Sequence, residues 1–253
     1  MDTAGRQGSA FTGRPEGSAG ASVAESAAPF AQVGSLAAER SSAGGFAVSL
    51  RGALGQAPLV GAGLVVAVLG SPAVAWAWFV ACRLAYVLFV GCSLRAESTR
   101  GALSRRGGPE AAWRRFRDRA SRVMVGDAVA LGALCIVTRG SLAAPGPEWL
   151  APLAGLVLIG IGVGVKLWAT ASLDEGTFYW RDFFLPAEQR NFVAAGPYRW
   201  MSNPMYTVGY AHAYGFALLL GSLSGLAAAA LAQAAILLLA FLVERPHVRR
   251  REC

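Results

Sequence analysis

Apolar positions in this chain come in long runs rather than in alternation. Between Ala57 and Leu94 only Arg83 is charged, and that stretch is longer than the ~20 residues one membrane-spanning helix needs. Ser71–Pro72 divides it, since a proline inside a helix removes a backbone hydrogen bond. The pattern there predicts a helical hairpin with a short first arm. Further apolar runs cover Val123–Val137, Trp149–Ser172, Met205–Leu220 and Leu226–Val243, and the uncharged turn "GSLSG" joins the last two as a second hairpin. The chain therefore reads as all-α, a polytopic transmembrane bundle of about five to six helices ending in a helical hairpin.

The first stretch is different. Residues 1–50 are rich in Ala, Gly and Ser with scattered charges, and such a segment cannot bury enough apolar surface to offset its ordering entropy. It predicts a disordered tail ahead of an integral membrane domain over 51–253. The tail lacks the early apolar core of a signal peptide, so membrane insertion is expected to depend on the later runs.

Composition agrees with a membrane protein: 55% of residues are hydrophobic and 15% charged, against roughly 25% charged in soluble domains. The formal charge of +8 comes almost wholly from arginine, Lys166 being the one lysine. These arginines sit between apolar runs, as in a positive-inside protein, and no folded basic domain accompanies them, which excludes a nucleic-acid role. The segment Arg95–Arg122 and the end of the chain, with Arg245, Arg249, Arg250 and Arg251, are expected in the cytoplasm. Counting helices between them puts residues 173–204 on that side too, in a multi-pass inner or plasma membrane protein.

Within "PEAAWRRFRDRASRV", Trp113, Phe116, Ala120 and Val123 recur at helical intervals. That pattern predicts a helix lying flat on the membrane with its aromatics at the acyl boundary. Asp127 and Lys166 fall in the same leaflet and form a conceivable pair. His212 is expected to point away from the nearby tyrosines, as a packing residue. Cys82, Cys92 and Cys135 read as small buried hydrophobes, and together with Cys253 they have no metal or redox spacing. No metal site is expected.

One polar knot interrupts the apolar C-terminal half: "GPYRWMSNPMY", Gly196 to Tyr206. Its two prolines break helix, and Pro204 is placed to open the next helix with Asn203 as N-cap. Tyr206, Tyr210 and Tyr214 then follow at intervals of four, flanked by Gly209 and Ala213, whose small side chains admit a close neighbour.

"GPYRWMSNPMYTVGY", an apolar hairpin and then "VERPH" resemble the C-terminal half of the membrane methyltransferases that include isoprenylcysteine carboxyl methyltransferases and phospholipid N-methyltransferases. Gly196, Pro197, Tyr198 and Arg199 match the first element of that family's pattern. Pro204, Tyr206 and Gly209 match the second, and Glu244 matches one glutamate of a usual pair, preceded here by Val243. Asn203 stands where the family commonly has histidine. An amide hydrogen-bonds but does not titrate, which leaves that position a holding role rather than an acid–base one. "YWRDFF" at Tyr179–Phe184 brings the resemblance nearer to the larger phosphatidylethanolamine methyltransferases. The motifs lie within residues 170–250.

The resemblance implies S-adenosylmethionine as cofactor, held by Arg199, Asn203, Pro204, Tyr206, Gly209, Glu244, Pro246 and His247. It also implies a membrane-borne lipid or lipidated acceptor, foremost the amine of phosphatidylethanolamine or a related phospholipid. An isoprenylcysteine carboxyl methyltransferase-like activity stays open. The in-line displacement needs no covalent enzyme intermediate, and proximity carries most of the catalysis. Asp182, Glu175 and Glu188 are candidate bases for the amine, and spacing singles out none of them as catalytic. Two other classes stay open: an NADPH-dependent sterol-type membrane reductase, disfavoured by the lack of a basic cluster beside the motif, and a non-enzymatic scaffold or small transporter.

Overall fold

The computed structural model describes residues 50–143, 146–173, 178–185 and 196–247, with side chains from residue 55 onward. The expected tail lies outside the described residues except for Leu50, which opens the first helix. Among the described residues the fold is all-helical. Its α-helices are α1 (Leu50–Leu69), α2 (Pro72–Arg100), α3 (Pro109–Val137), α4 (Leu150–Ala171), α5 (Ala211–Leu219) and α6 (Leu223–Leu239). Four helical stretches among the described residues are long and apolar enough to cross a membrane: α2, α3, α4, and α6 with its continuation to His247. The other two helices are shorter arms.

The first hairpin forms where expected. Ser71 caps α2 by accepting from the Val74 amide, and Pro72 takes the first helical position, where its missing N–H costs nothing. In the second hairpin Gly221, at a φ of 59°, makes the turn that a side chain would disfavour. Ser222 then caps α6 by accepting from the Gly225 amide at 2.8 Å.

The flat interfacial helix expected over 109–123 does not exist as a separate element, because α3 runs without a break for 29 residues. At 1.5 Å per residue it is ~43 Å long, well beyond a hydrocarbon layer of ~30 Å. Its arginine-rich first turns extend the bundle outward, and its aromatics turn inward. Trp113, Phe116 and Ala120 are buried with Tyr86, Val90 and Leu94 of α2, with Trp180, Phe183 and Phe184, and with Ile236 and Leu239 of α6. The same helical periodicity describes a stripe facing lipid or one facing protein; α2 and the 180–184 segment supply the second. Glu97 organises the α2–α3 loop by accepting from the amides of Leu103 at 2.8 Å and Ser104 at 3.2 Å and from the Ser104 hydroxyl.

A second core, of Ala75, Phe79, Ala130, Leu134, Ala228 and Ala232, ties α2, α3 and α6 together further along the bundle. Against this three-helix body, α4 and α5 pack on each other through glycine. Gly155, Gly162 and Ala169, seven residues apart, are the buried positions of α4. A Cβ on Gly155 would lie 2.6 Å from the carbonyl oxygen of Gly215, and one on Gly162 would strike the His212 backbone. Small residues let two backbones approach within van der Waals contact, the usual basis of helix association in lipid.

The segment after the polar knot departs from expectation. Pro204 does not open α5, which begins seven residues later, after a turn and a 3₁₀ turn over Val208–Tyr210. Asn203 works through its backbone: its carbonyl accepts from the amides of Tyr206 at 3.2 Å and Thr207 at 3.1 Å and from the Thr207 hydroxyl at 2.8 Å. The Pro204 carbonyl takes the Gly209 amide at 2.8 Å. The chain thus folds back on itself before the helix starts, and Tyr206 and Tyr210 face the bundle from turns. Of the cysteines among the described residues, only Cys135 is buried; Cys82 is partly exposed and Cys92 exposed.

Candidate functional site

Polar side chains from four elements converge at the end of the bundle where α2 and α3 extend outward. The last helix reaches them through a π-helical turn, Ala240–Glu244, in which the extra residue re-aims the side chains that follow, a device common at functional sites. Glu244 closes that turn. Its Oε1 accepts hydrogen bonds from the Trp180 indole at 2.9 Å and the Tyr206 hydroxyl at 3.0 Å. Oε2 accepts none among the described residues. The site thus keeps one carboxylate oxygen for a further donor.

Trp180 and the Tyr206 backbone are each positioned by their surroundings. Trp180 has a φ of 53° and is the one described non-glycine residue in the left-handed region, a conformation that costs about 1–3 kcal/mol and persists where the surroundings over-determine it. Those surroundings are the Phe116 ring, edge-on at 6.2 Å, and the Glu244 carboxylate. On the other side, Gln233 of α6 donates to the carbonyls of Tyr206 at 3.0 Å and Thr207 at 3.2 Å, and accepts from the Tyr214 hydroxyl at 2.8 Å. One glutamine therefore holds the polar knot against the last helix. Burial first, and then the Glu244 charge, push the Tyr198 hydroxyl up to about 12 and that of Tyr206 well above its ordinary range. Both stay protonated at neutral pH, as hydrogen-bond donors.

A second polar group lies one turn away, around Tyr210. The Arg83 guanidinium donates through Nη2 to Asp127 Oδ2 at 2.5 Å and to the Tyr210 hydroxyl at 2.9 Å, and it lies 5.3 Å from the Tyr86 ring centre. Both members of the ion pair are buried. Asp127 is therefore paired with Arg83, not with Lys166: α2 and α3 are antiparallel neighbours, whereas Lys166 stands on α4. Lys166 Nζ instead lies 3.4 Å from His212 Nε2 and 5.6 Å from the centre of the Tyr210 ring. His212, expected to point away from the tyrosines, has its ring 6.0 Å from that of Tyr210.

Of the residues singled out in the sequence, the structure brings Tyr206 and Glu244 into contact. Pro204 and Gly209 are buried beneath them. Gly209 faces the Lys166 stem: a Cβ there would lie 3.0 Å from Lys166 Cγ. Arg199 is exposed at the rim beside Trp200, whose ring meets Trp168 at 5.5 Å. Pro246 lines an outer recess with Phe241, Leu242 and Arg245. His247 is buried with its ring stacked on Phe183 at 3.7 Å, its Nδ1 2.8 Å from the Ser98 hydroxyl and its Nε2 3.6 Å from Asp182. It pins the 181–183 turn to the last helix. Glu175 and Glu188 lie outside the described residues. Trp180, Gln233 and Arg83 are the polar partners that sequence reasoning did not assign to a site; Arg83 and Gln233 were visible as isolated polar residues in apolar helices, where partners are expected.

Residues 150–251 match the family model described as phospholipid methyltransferase. Among curated proteins, the phosphatidylethanolamine N-methyltransferase of Schizosaccharomyces pombe is 37% identical over 103 residues, 41% of this chain and 11% of that protein. Proteins of the same name from Neurospora crassa and Aspergillus fumigatus are 34% and 36% identical over 97 residues, in each case 38% of this chain and 10% of theirs. The chain spans about a tenth of the length of the curated relatives it matches. No solved structure matches it. The matched stretch contains every motif on which the resemblance was read, and the resemblance is borne out there.

Proposed function

We propose that this chain, a relative of the phospholipid methyltransferases over residues 150–251, binds S-adenosylmethionine against the Tyr206–Glu244 contact and transfers its methyl group to the amine of phosphatidylethanolamine or a related phospholipid. The observation that carries the reading is the seating of Glu244, from the end of the last helix, on Tyr206 of the polar knot.

The residues fit the cofactor. Its amino and hydroxyl groups are donors that suit Oε2 of Glu244, the oxygen left without a hydrogen bond. The rings of Tyr198 and Tyr206 suit a sulfonium by cation–π attraction. Arg199 at the rim suits the methionyl carboxylate, and the Asn203 amide is a neutral group that can both donate and accept. Pro204 and Gly209 keep the knot low beneath the site, and His247 and Pro246 fix the end of the last helix. S-adenosylmethionine would supply an activated methyl for in-line displacement, and orientation by these residues would supply most of the acceleration. Asp182, whose charge acts on Glu244, is the described candidate for taking the proton from the acceptor amine. The site lies at the arginine-rich end of α2 and α3, which we assign to the cytoplasmic face.

Equilibrium binding of S-adenosylmethionine to the detergent-purified chain tests the reading, with Glu244→Ala alongside. Saturable binding by the wild type, lost in the variant, is the expected result; no saturable binding by the wild type overturns it. Lipid extracts of expressing cells should then contain N-methylated phosphatidylethanolamine.

A further inference from the structure

The Arg83–Asp127–Tyr210 group and its neighbours Lys166 and His212 lie beside the cofactor contact, and nothing in the proposed methyl transfer uses them. Their charges do not cancel. Arg83 and Lys166 are near enough to Asp127 and to each other for their charges to act mutually, so two cations share one carboxylate. The hydrogen bonds are also incomplete. Arg83 uses only Nη2, and its buried Nε and Nη1 have no partner among the described residues, nor has Oδ1 of Asp127. His212 fixes how Lys166 is used. Its Nδ1 hydrogen is committed to the Gly209 carbonyl at 2.7 Å, so Nε2 is the acceptor that meets Lys166 Nζ. An ammonium group has three hydrogens, and two remain.

Ionisable residues inside a membrane are costly unless paired, and they mark sites. Lys166 stands five residues before the end of α4 at Ala171, ~7–8 Å along the helix axis, a depth near the headgroup boundary. Lys166 lies on the α5-facing stripe of α4, between Gly162 and Ala169, and is itself partly exposed; Val163, Leu167 and Trp168 beside it are exposed, so a lipid headgroup can approach it at the edge of that stripe. Gly209, in the 3₁₀ turn that follows the polar knot, leaves the space through which the Lys166 stem runs.

We infer that Lys166, supported by His212 and by the Arg83–Tyr210 arm, forms a subsite for the phosphodiester of a phospholipid headgroup. One phosphodiester charge balances the one surplus cation, and its unesterified oxygens accept the spare Lys166 hydrogens. Tyr210, which both cations flank, is one turn from Tyr206, so a headgroup held by its phosphate extends its amine towards Glu244. The inference rests on the reading of the acceptor as a phospholipid.

The test is lipid retention by the full chain in detergent, measured by native mass spectrometry with dioleoylphosphatidylethanolamine, dioleoylglycerol and inorganic phosphate as probes, with S-adenosylmethionine binding followed in parallel. The wild type is expected to retain the phospholipid about tenfold better than the diacylglycerol, which lacks the phosphate, and excess inorganic phosphate should compete. Lys166→Met should lose about tenfold of this preference and Lys166→Arg should keep it, both with cofactor binding and thermal midpoint preserved. Equal retention of both lipids by the wild type, or full retention of phospholipid by Lys166→Met, overturns the subsite. Binding of inorganic phosphate without phospholipid overturns the lipid assignment. Loss of cofactor binding rather than lipid binding in Lys166→Met makes Lys166 a cofactor residue and likewise overturns it. A wild type that holds phospholipid through Lys166 but binds no S-adenosylmethionine leaves the subsite standing and removes the methyl-transfer proposal.

Discussion

Replacing Asp127 by leucine leaves the Arg83 guanidinium buried with the Tyr210 hydroxyl as its remaining partner. The pair is closed at 2.5 Å, with side-chain exposures of 4% and 10%, so water cannot substitute for the lost carboxylate. Breaking one member of such a pair costs about 3–5 kcal/mol, most of it the burden of the charge left behind. Arg83→Met should cost a similar amount, since it strands Asp127. The double variant Arg83→Met/Asp127→Leu removes both charges and fills the space with apolar atoms. It should be less destabilised than either single variant, within about 2 kcal/mol of wild type. Independent effects would instead add to about 6–10 kcal/mol. Equilibrium unfolding of the purified chain in mixed detergent micelles, followed by far-ultraviolet circular dichroism, measures all four corners of the cycle. Additive single effects would refute the argument, because the two residues would then not be sharing one buried interaction.

Other predictions follow from the same reasoning. Glu244→Gln keeps an acceptor for Trp180 and Tyr206, so thermal unfolding should shift by no more than about 1–2 kcal/mol equivalent, while S-adenosylmethionine titration should reveal at least a ~10-fold loss of affinity. Gly155→Ala forces α4 and α5 apart against a 2.6 Å contact and should destabilise by about 1–3 kcal/mol; Gly160→Ala and Gly164→Ala, which meet nothing within 4 Å, should be neutral or slightly stabilising, and equal effects at all three would contradict the packing. The Tyr198 hydroxyl titrates at about 12 in the folded protein against an ordinary 10. The folded state favours the protonated form, so this contribution is whole below pH 10 and is lost as pH rises towards 12. Tyrosinate absorbance should place Tyr198 late in the titration, with Tyr206 later still, and Tyr198→Phe should remove one tyrosine's amplitude near pH 12 and lessen the alkaline fall in thermal midpoint.

Much of the fold was legible in the sequence because membrane helices obey a one-dimensional rule: every backbone group must be satisfied within its own helix, so uninterrupted apolar length suffices to find them. α4 follows on that ground, and the Ser71–Pro72 break and the Gly221–Ser222 turn follow from their proline and turn residues. The family pattern likewise singles out Tyr206 and Glu244, which the fold brings into hydrogen-bond contact although they stand 38 positions apart in the chain. Periodicity failed where it leaves the partner unspecified. The stripe of Trp113, Phe116 and Ala120 suits lipid or protein equally, and only the arrival of Trp180, Phe183 and Phe184 decided for protein. The start of α5 failed for a local reason: the Asn203 and Pro204 carbonyls close turns that compete with the helix, and turn and helix differ there by less than propensity can resolve.

Partner choice among the polar groups of the bundle was settled by how the helices pack. Arg83, Asp127 and Lys166 stand out along the chain as ionisable residues in apolar runs, and Gln233 is an isolated polar residue of the last helix. Which partner depends on which helices are neighbours and at what rotation, and the apolar surfaces that set this are nearly uniform in Ala, Leu, Gly and Val. The α2–α3 pairing joins Arg83 to Asp127, the glycine contact of α4 with α5 carries Lys166 to His212, and the π-turn at the end of α6 aims Glu244 at Tyr206. A linear pattern records the need for a counterpart; packing in three dimensions supplies it.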